Sequence, residues 1–277
     1  MAKKKKNGIS NWILVGIMIL GLLILAYPTF ANWWNSIHQS RAIARYVEAV
    51  SSMKRDDYDK IFAEADSYNK DLLADESRYA LNAAEIERYK KVLDITGTGI
   101  MGYIDIPKIN VSYPIYHGTD EAVLQIAIGH LEFTSLPSGG LGTHCALSGH
   151  RGLPSARLFT DIDQLVVGDT FMIQVLDRTL TYEVDQIREV LPEELQDLQI
   201  EADKDYCTLI TCTPYGINTH RLLVRGHRVE NAASQVRVVA DAIQIRAEYV
   251  APLVMIPMLT VLLIVLLITT GKKKRNA

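Results

Sequence analysis

One stretch of the chain, residues 208–216, reads Thr-Leu-Ile-Thr-Cys-Thr-Pro-Tyr-Gly. Its first half has the apolar and β-branched residues typical of a buried strand, and the Pro and Gly near its end break the chain. Cys212 therefore lies at the mouth of a strand, on the same face as Thr208 and Ile210, because strand side chains alternate with a period of two. A buried structural cysteine and a reactive thiol both fit this position.

A second predicted strand follows after a short loop. Residues 219–228 read Thr-His-Arg-Leu-Leu-Val-Arg-Gly-His-Arg, with Arg221 and Arg225 on one face and apolar residues on the other. Because a short loop joins neighbouring strands, we expect Cys212 and Arg221 at the same end, and Arg225 about 13 Å farther along at ~3.3 Å per residue. Arg221 is then either a surface arginine or a cation that stabilises the oxyanion of an acyl-transfer intermediate.

A nucleophilic thiol also needs a base nearby. Among seven histidines, His150 follows Ser148-Gly149 at the end of an apolar strand and precedes a glycine at residue 152. Spacing alone does not select it, because catalytic pairs meet in space and not in sequence. Other histidines lie at turns, on the last strand or close to the first apolar stretch: His117, His130, His220, His227 and His38.

The three cysteines cannot all be paired within one chain. Cys207 and Cys212 have opposite parity on one strand and so face opposite sides. Cys145 can in principle pair with Cys207, and the sequence leaves their redox state open.

The charge is distributed unevenly along the chain. The formal net charge is −3, but the runs at residues 3–6 and 272–275 hold eight of the 29 basic residues, which leaves 21 basic against 32 acidic residues, a net of −11. An acidic middle argues against nucleic acid as a partner.

Each basic run lies beside an uncharged stretch, residues 12–31 and 250–271. Both are long enough for a membrane-spanning helix, and the positive-inside rule places both basic runs in the cytoplasm. We therefore expect a two-pass plasma-membrane protein whose central part lies on the extracytoplasmic face. A cleaved signal peptide is the alternative for the first stretch.

The residues between the two stretches divide into a helical part and a β part. Apolar residues at helical spacing predict helices over residues 43–50 and 58–65, with a weaker one at 82–93. Short apolar runs predict strands from residue 99 onward, interrupted by one short helix at 154–165, and Pro114 suggests an edge strand. Many short strands at regular spacing indicate a closed barrel or a sandwich.

Three blocks of this sequence resemble the motifs of sortases. Residues 147–154 read Leu-Ser-Gly-His-Arg-Gly-Leu-Pro, 208–212 read Thr-Leu-Ile-Thr-Cys, and 218–224 read Asn-Thr-His-Arg-Leu-Leu-Val. The first block, Thr-Cys-Thr-Pro-Tyr-Gly at 211–216, and the segments 129–132 and 134–137 are similar to class C, the pilin-polymerising branch. The second apolar stretch also fits that branch.

The resemblance implies a mainly β fold, an eight-stranded barrel with N-terminal helices and a transmembrane helix at each end. It implies the following division: residues 1–34, cytoplasmic tail and first span; 35–98, helical region with a possible lid; 99–230, catalytic barrel; 231–249, linker; 250–277, second span and basic tail.

The same resemblance implies that His150, Cys212 and Arg221 form the active site, with no metal and no cofactor. The implied reaction is cleavage of a Leu-Pro-x-Thr-Gly-like sorting signal between Thr and Gly through a Cys thioester. The acyl group then passes to an amine, in class C usually a lysine of a pilin. The implied partners are pilins or other surface proteins that carry such a signal.

One departure concerns the lid that class C members carry over the cysteine, anchored by an Asp-Pro-aromatic motif. Residues 60–98 contain no Asp-Pro pair, and Asp75 and Tyr79 are the nearest candidates. Three alternatives to a pilin transpeptidase stay open: an exported cysteine peptidase with water as acceptor, a housekeeping sortase that anchors proteins to the cell wall, and a membrane-anchored adhesion module with an incidental cysteine.

Overall fold

The computed structural model of the protein describes residues 8–75 and 77–231, with side chains from residue 15 onward. The predicted linker from residue 232 onward and the predicted second span at 250–277 lie outside the described residues.

Three helices precede the β part, in the region where the sequence predicts them. They are α1 (Gly8–Ser51), α2 (Arg55–Ala74) and α3 (Ala83–Lys91), with a 3₁₀ turn at Arg78–Ala80. Asn82 begins α3 with a capping box, because its side-chain oxygen accepts the amides of Ala84 and Glu85. The first predicted span and the predicted helix at 43–50 form one continuous helix, α1, of 44 residues.

Eight strands form a closed barrel in the order β1-β2-β3-β4-β7-β8-β6-β5. The strands β2–β3 and β4–β7 pair in parallel, and all other neighbours pair antiparallel. The predicted eight-stranded barrel is confirmed. The strand bounds are β1 Ile100–Ile106, β2 Val111–His117, β3 Ile128–His130, β4 Thr143–Ser148, β5 Thr170–Val175, β6 Arg178–Val190, β7 Asp205–Thr213 and β8 His220–Val229; a short helix, α4 (Glu121–Leu124), precedes β3.

Two local predictions have different outcomes. Pro114 lies where β2 pairs only with β1, because the pairing with the three-residue β3 begins at Ile115. A proline without an amide hydrogen fits such a locally open edge. The helix predicted at 154–165 is wrong: the segment is a series of turns with a 3₁₀ turn at Ile162–Gln164, and Leu158 has a φ of 41° that no α-helix accommodates.

The second half of α1 packs against the barrel and is fixed there by polar contacts. Tyr46, 1% exposed, donates its hydroxyl hydrogen to the Met101 carbonyl at 3.1 Å and accepts the Leu176 amide at 2.9 Å. Burial raises the pKa of Tyr46 to about 12, so the hydroxyl keeps its proton at physiological pH. Nearer the apolar half of the helix, Gln39 donates to the Ile126 carbonyl at 2.7 Å.

Replacing Tyr46 by Phe should test how strongly α1 is held. The ring remains, but the buried Leu176 amide and Met101 carbonyl lose their shared partner, which should cost about 1–3 kcal/mol of the free energy of unfolding. Tyr58→Phe is the control, because its hydroxyl makes a single, part-buried hydrogen bond, to the Val50 carbonyl. Denaturation of the full chain in detergent would contradict the assignment if the two variants lost equal stability.

Candidate active site

Cys212 and Arg221 lie side by side on neighbouring strands. They are Cα partners in the antiparallel pair β7–β8, which confirms that both residues lie at the same end of these strands. Cys212 is partly exposed, whereas Cys145 and Cys207 are buried. The strand period places Cys212 on the outer face of the barrel with Ile210.

The parallel pair β4–β7 brings His150 to the same place. Its register runs to Ser148↔Ile210 and continues beyond β4, since the Gly149 amide donates to the Ile210 carbonyl at 3.0 Å. The buried Thr211 hydroxyl then donates to the Gly149 carbonyl at 2.8 Å. Two hydrogen bonds thus hold the residue before His150 against the residues before Cys212.

Gly149 is required at this position by the packing around it. A Cβ there would lie 2.7 Å from the Ile128 side chain and 2.8 Å from the Phe159 ring. Such distances lie well inside van der Waals contact, so a larger residue would push the chain outward and move His150. The Phe159 amide also donates to the His150 carbonyl at 3.2 Å and closes the loop after it.

The imidazole of His150 is partly exposed and faces a carboxylate. Its Nε2 lies 3.9 Å from Glu121 Oε2, and its side chain is 28% exposed. Among the described residues, no side chain or backbone group makes a hydrogen bond with this Nε2. This nitrogen is shielded from solvent and has no hydrogen-bond partner among the described residues, so it keeps an unused donor or acceptor site beside the Glu121 carboxylate.

The two arginines of β8 have different environments. Arg221 donates from Nη1 to the carbonyl oxygens of Asn218, at 3.2 Å, and His220, at 3.1 Å, at the base of the β7–β8 loop. Arg225, four residues farther along β8, instead forms an ion pair with Asp185 through two hydrogen bonds of 3.0 Å each. Arg225 is thus engaged in a structural ion pair, and Arg221 lies beside the thiol.

A groove of about 270 Å³ lies on the outer face of the barrel, with Arg221 among its lining residues. The connection between β6 and β7 forms one wall, and the outer faces of β4, β7 and β8 form the floor. Its lining is mostly apolar: Thr119, Leu124, Leu131, Phe133, Ser148, Val190, Leu191, Pro192, Glu194, Leu195, Leu198, Ile210, Arg221 and Leu223. Such a groove fits an extended peptide with apolar side chains.

Three other histidines have structural roles. His144 bonds the Gln199 carbonyl and the Thr208 hydroxyl, and desolvation lowers its pKa to about 4. His130 is fully buried and bonded at both ring nitrogens, and burial lowers the pKa of His117. Hydrogen bonds that occupy both ring nitrogens make these three histidines unsuited to proton transfer, whereas Nε2 of His150 has no such partner among the described residues.

The two lid candidates lie in the connection between α2 and α3. Asp75 accepts the amide and hydroxyl of Ser77, and these hydrogen bonds lower its pKa. The Tyr79 ring lies 5.4 Å from the ring of Phe133, which lines the groove. The Tyr79 hydroxyl accepts hydrogen bonds from Gln199 and from the buried Arg78, both at 2.8 Å.

Sequence reasoning missed two contributors to the site. Glu121, which faces His150, lies in a four-residue helix that has no period of its own to reveal it. The wall at 191–198 carries no motif, although one proline, two leucines and two glutamates at 191–195 mark a loop with apolar residues that must be buried somewhere. Only the folded chain shows that this loop covers the strand carrying Ile210.

Comparisons with known proteins agree with this geometry. The model of the sortase domain matches residues 104–229. The crystal structure of sortase C1 from Streptococcus agalactiae is 56% identical, with a TM-score of 0.67, and the match covers 69% of this chain and all of that one. The chain belongs to the sortase family.

Further relatives of this sortase place it more closely. A sortase C from Clostridium perfringens, solved with the C-terminal cell wall sorting motif, is 42% identical with a TM-score of 0.60, and covers 69% of this chain and all of its own. Sortase A of Bacillus anthracis is 22% identical over 230 residues, 83% of this chain and 99% of that protein. The structural neighbours include class C sortases, so this enzyme is a cysteine transpeptidase of the class C branch.

The bond from Thr211 to Gly149 offers a test of how His150 is positioned. Thr211→Val keeps the shape but removes the donor, so the loop that carries His150 loses one of its two anchors. We expect a roughly tenfold loss in kcat/KM on a sorting-signal peptide, because small displacements of catalytic groups are costly. Thr211→Ser keeps a hydroxyl and should restore most of the rate. Equal rates for Val and wild type would show that this bond does not position the histidine.

Proposed function

We propose that this sortase cleaves a Leu-Pro-x-Thr-Gly-like sorting signal between Thr and Gly and joins the new acyl end to an amine, the side chain of a pilin lysine. The proposal is supported by the strand registers that pair Cys212 with Arg221 and hold Gly149 beside Ile210, and by an apolar groove with Arg221 in its lining. Support for the substrate comes from the C. perfringens sortase C that was solved with a cell wall sorting motif.

In this proposal Cys212 is the nucleophile. Its thiolate attacks the Thr carbonyl carbon and forms a tetrahedral intermediate, whose oxyanion is stabilised by the Arg221 guanidinium. His150 then protonates the leaving Gly amine, and a thioester remains on Cys212. The lysine amine attacks the thioester, His150 takes a proton from it, and collapse of the second intermediate releases the thiolate and the new amide.

The alternative acceptor is water, which would make the enzyme a peptidase. The chemistry on Cys212 is the same in both cases, so only the products separate them. Amines attack thioesters more readily than water does, so an amine held beside the thioester is the expected acceptor. A housekeeping sortase would differ in the acceptor and not in the three residues of the site.

We also propose that α1 crosses the plasma membrane and that the barrel lies on the extracytoplasmic face of a two-pass protein. Residues 15–51 belong to a helix long and apolar enough to cross a membrane. The aromatic pair Trp33 and Trp34 follows the uncharged stretch at 12–31, where interfacial aromatics are expected.

We propose further that the connection from Asp75 to Asn82 acts as a lid on the groove through Tyr79. The contact with Phe133 covers the groove wall, while Gln199 and Arg78 hold the Tyr79 hydroxyl. The connection contains one short 3₁₀ turn and little apolar surface, so its opening should cost little free energy. Asp75 shapes the turn that begins this lid.

Mass spectrometry of the products from a sorting-signal peptide tests the main proposal. With an added amine, the wild-type enzyme should give the amide, whereas Cys212→Ala should give no acyl-enzyme and no product. Because both proton transfers need it, His150→Ala should lose about 10²–10⁴ in rate. Arg221→Lys should also be severely impaired, since a point charge does not replace the planar fork.

Cys207→Ala is the matched control for the nucleophile, because this buried thiol lies on the same strand. Full transfer by Cys212→Ala would disprove the assignment of the nucleophile. Hydrolysis as the main outcome at saturating amine would favour the peptidase.

Alkylation of Cys212 tests the lid. Tyr79→Ala removes the ring from Phe133 and should speed alkylation of Cys212 in the full chain by several-fold if the lid limits access to the groove. Tyr79→Phe keeps the ring and loses only the hydroxyl bonds, so its alkylation rate should lie between those of the wild type and Tyr79→Ala. An unchanged rate in Tyr79→Ala would show that the connection is a linker without influence on the thiol.

A further inference from the structure

The contacts of α1 determine which end of the barrel lies nearest the apolar part of that helix. Asn35 donates its side-chain amide to the Ser155 carbonyl at 2.9 Å, in the loop that follows β4 and His150. Gln39 bonds Ile126, two residues before β3, and Tyr46, farther along the helix, bonds Met101 and Leu176. The loop after β4 therefore lies at the end of the barrel nearest the apolar first half of α1.

The strand registers assign the other loops to this end, here called the Cys212 end. Since Gly129 pairs with Ser148, β3 begins where β4 ends, and β7 ends beside β4 because the two run parallel. β2 runs parallel to β3, β1 runs antiparallel to β2, and β5 runs antiparallel to β1, so β5 begins at this end. β6 ends there as well, because its last residue, Val190, pairs with Arg221.

The Cys212 end has an unusual share of exposed apolar side chains. Its loops contain six large ones that are at least 41% exposed: Ile126, Val166, Val167, Leu191, Tyr215 and Ile217. Among the described residues, the loops that join strands at the opposite end expose one, Leu141. Exposed apolar residues gathered at one end of a protein mark a surface that contacts something apolar.

The height of this end above the proposed membrane follows from helix geometry. The apolar stretch ends at Ala31, and Asn35 lies four residues later, about 6 Å along a helix that rises 1.5 Å per residue. The headgroup region on each side of a bilayer is about 5–7 Å thick. Asn35 and the Ser155 loop bonded to it therefore lie at headgroup depth.

We infer that the Cys212 end of the barrel docks on the outer surface of the same bilayer that α1 crosses, with Tyr215 and Ile217 among the headgroups. Tyr215 packs against Gly152, three residues before Ser155, so the β7–β8 loop lies beside the loop that α1 holds. The inference rests on the proposed membrane span of α1 and is independent of the proposed reaction.

The charges of this end indicate that anionic lipid is not required. Arg151 is paired with Asp163, Arg157 with Asp161 and Lys108 with Asp169, which leaves little free positive charge in these loops. Contact through apolar side chains predicts docking on zwitterionic lipid. Phosphatidylcholine is therefore the probe.

Fluorescence quenching in nanodiscs tests the inference with the full chain. In a Cys212→Ala background, single cysteines replace Ile217, Val167, Leu141 or Ile24 and carry a small fluorophore, while the buried Cys145 and Cys207 stay unlabelled. The discs contain phosphatidylcholine with or without a nitroxide on the headgroup and along the acyl chain. Ile217→Cys and Val167→Cys should be quenched at least twofold more than Leu141→Cys, an equally exposed residue at the opposite end.

The label at residue 24 separates the two ways in which the inference can fail. Quenching at residue 24, with residues 217 and 167 no more quenched than 141, would overturn the docking alone. No quenching at residue 24 would overturn the membrane span of α1, and the docking with it. Neither result bears on the transpeptidation assay, which uses a soluble peptide and a soluble amine and does not depend on docking to lipid.

Discussion

The active site depends on the parallel register between β4 and β7. Six consecutive Cα pairs bring the two strands to the same end, and the Gly149 amide and Thr211 hydroxyl extend the register past β4. Parallel strands are joined by long crossovers, so this contact unites residues about sixty positions apart. Without it, the loop that carries His150 would lose its hydrogen bonds to the strand that carries Cys212.

The same two strands show why position on a strand decides the chemistry of a cysteine. Cys145 and Cys207 are partners in the β4–β7 pair, five residues before His150 and Cys212 respectively. Both are buried inside the barrel, where desolvation and the neighbouring thiol raise the pKa of Cys207. Cys212 lies on the opposite, outer face and is open to solvent. Cys207 and Cys212 on one strand thus differ because the first faces the core and the second faces outward.

The parts of this site that sequence could predict are the local ones. Cys212 and Arg221 belong to a hairpin, so the strand period and a short loop suffice to place them together. Spacing along the sequence does not identify His150 as the partner of Cys212, because a parallel strand pairing has no local signal. Only the resemblance to sortases selects it. The prediction of a helix at 154–165 is wrong because the apolar residues of this segment, such as Leu158 and Phe159, lie in turns and are buried there without helical structure. Glu121 and the groove wall depend on contacts that only the closed barrel creates.

The helix α1 gives this enzyme a fixed geometry that a flexible tether would not. A linker of n residues without structure spreads its ends over about 5–6 Å × √n, so a catalytic domain on such a tether samples many heights and orientations. Here the helix continues past the apolar stretch without interruption, and Asn35, Gln39 and Tyr46 bind the barrel along about 16 Å of its length, at 1.5 Å per residue. Three attachment points along one axis define an orientation as well as a distance. With α1 in the membrane as proposed, the thiol would be presented at one height, and the entropy of orienting the enzyme would be lost on folding and not again at each encounter with substrate.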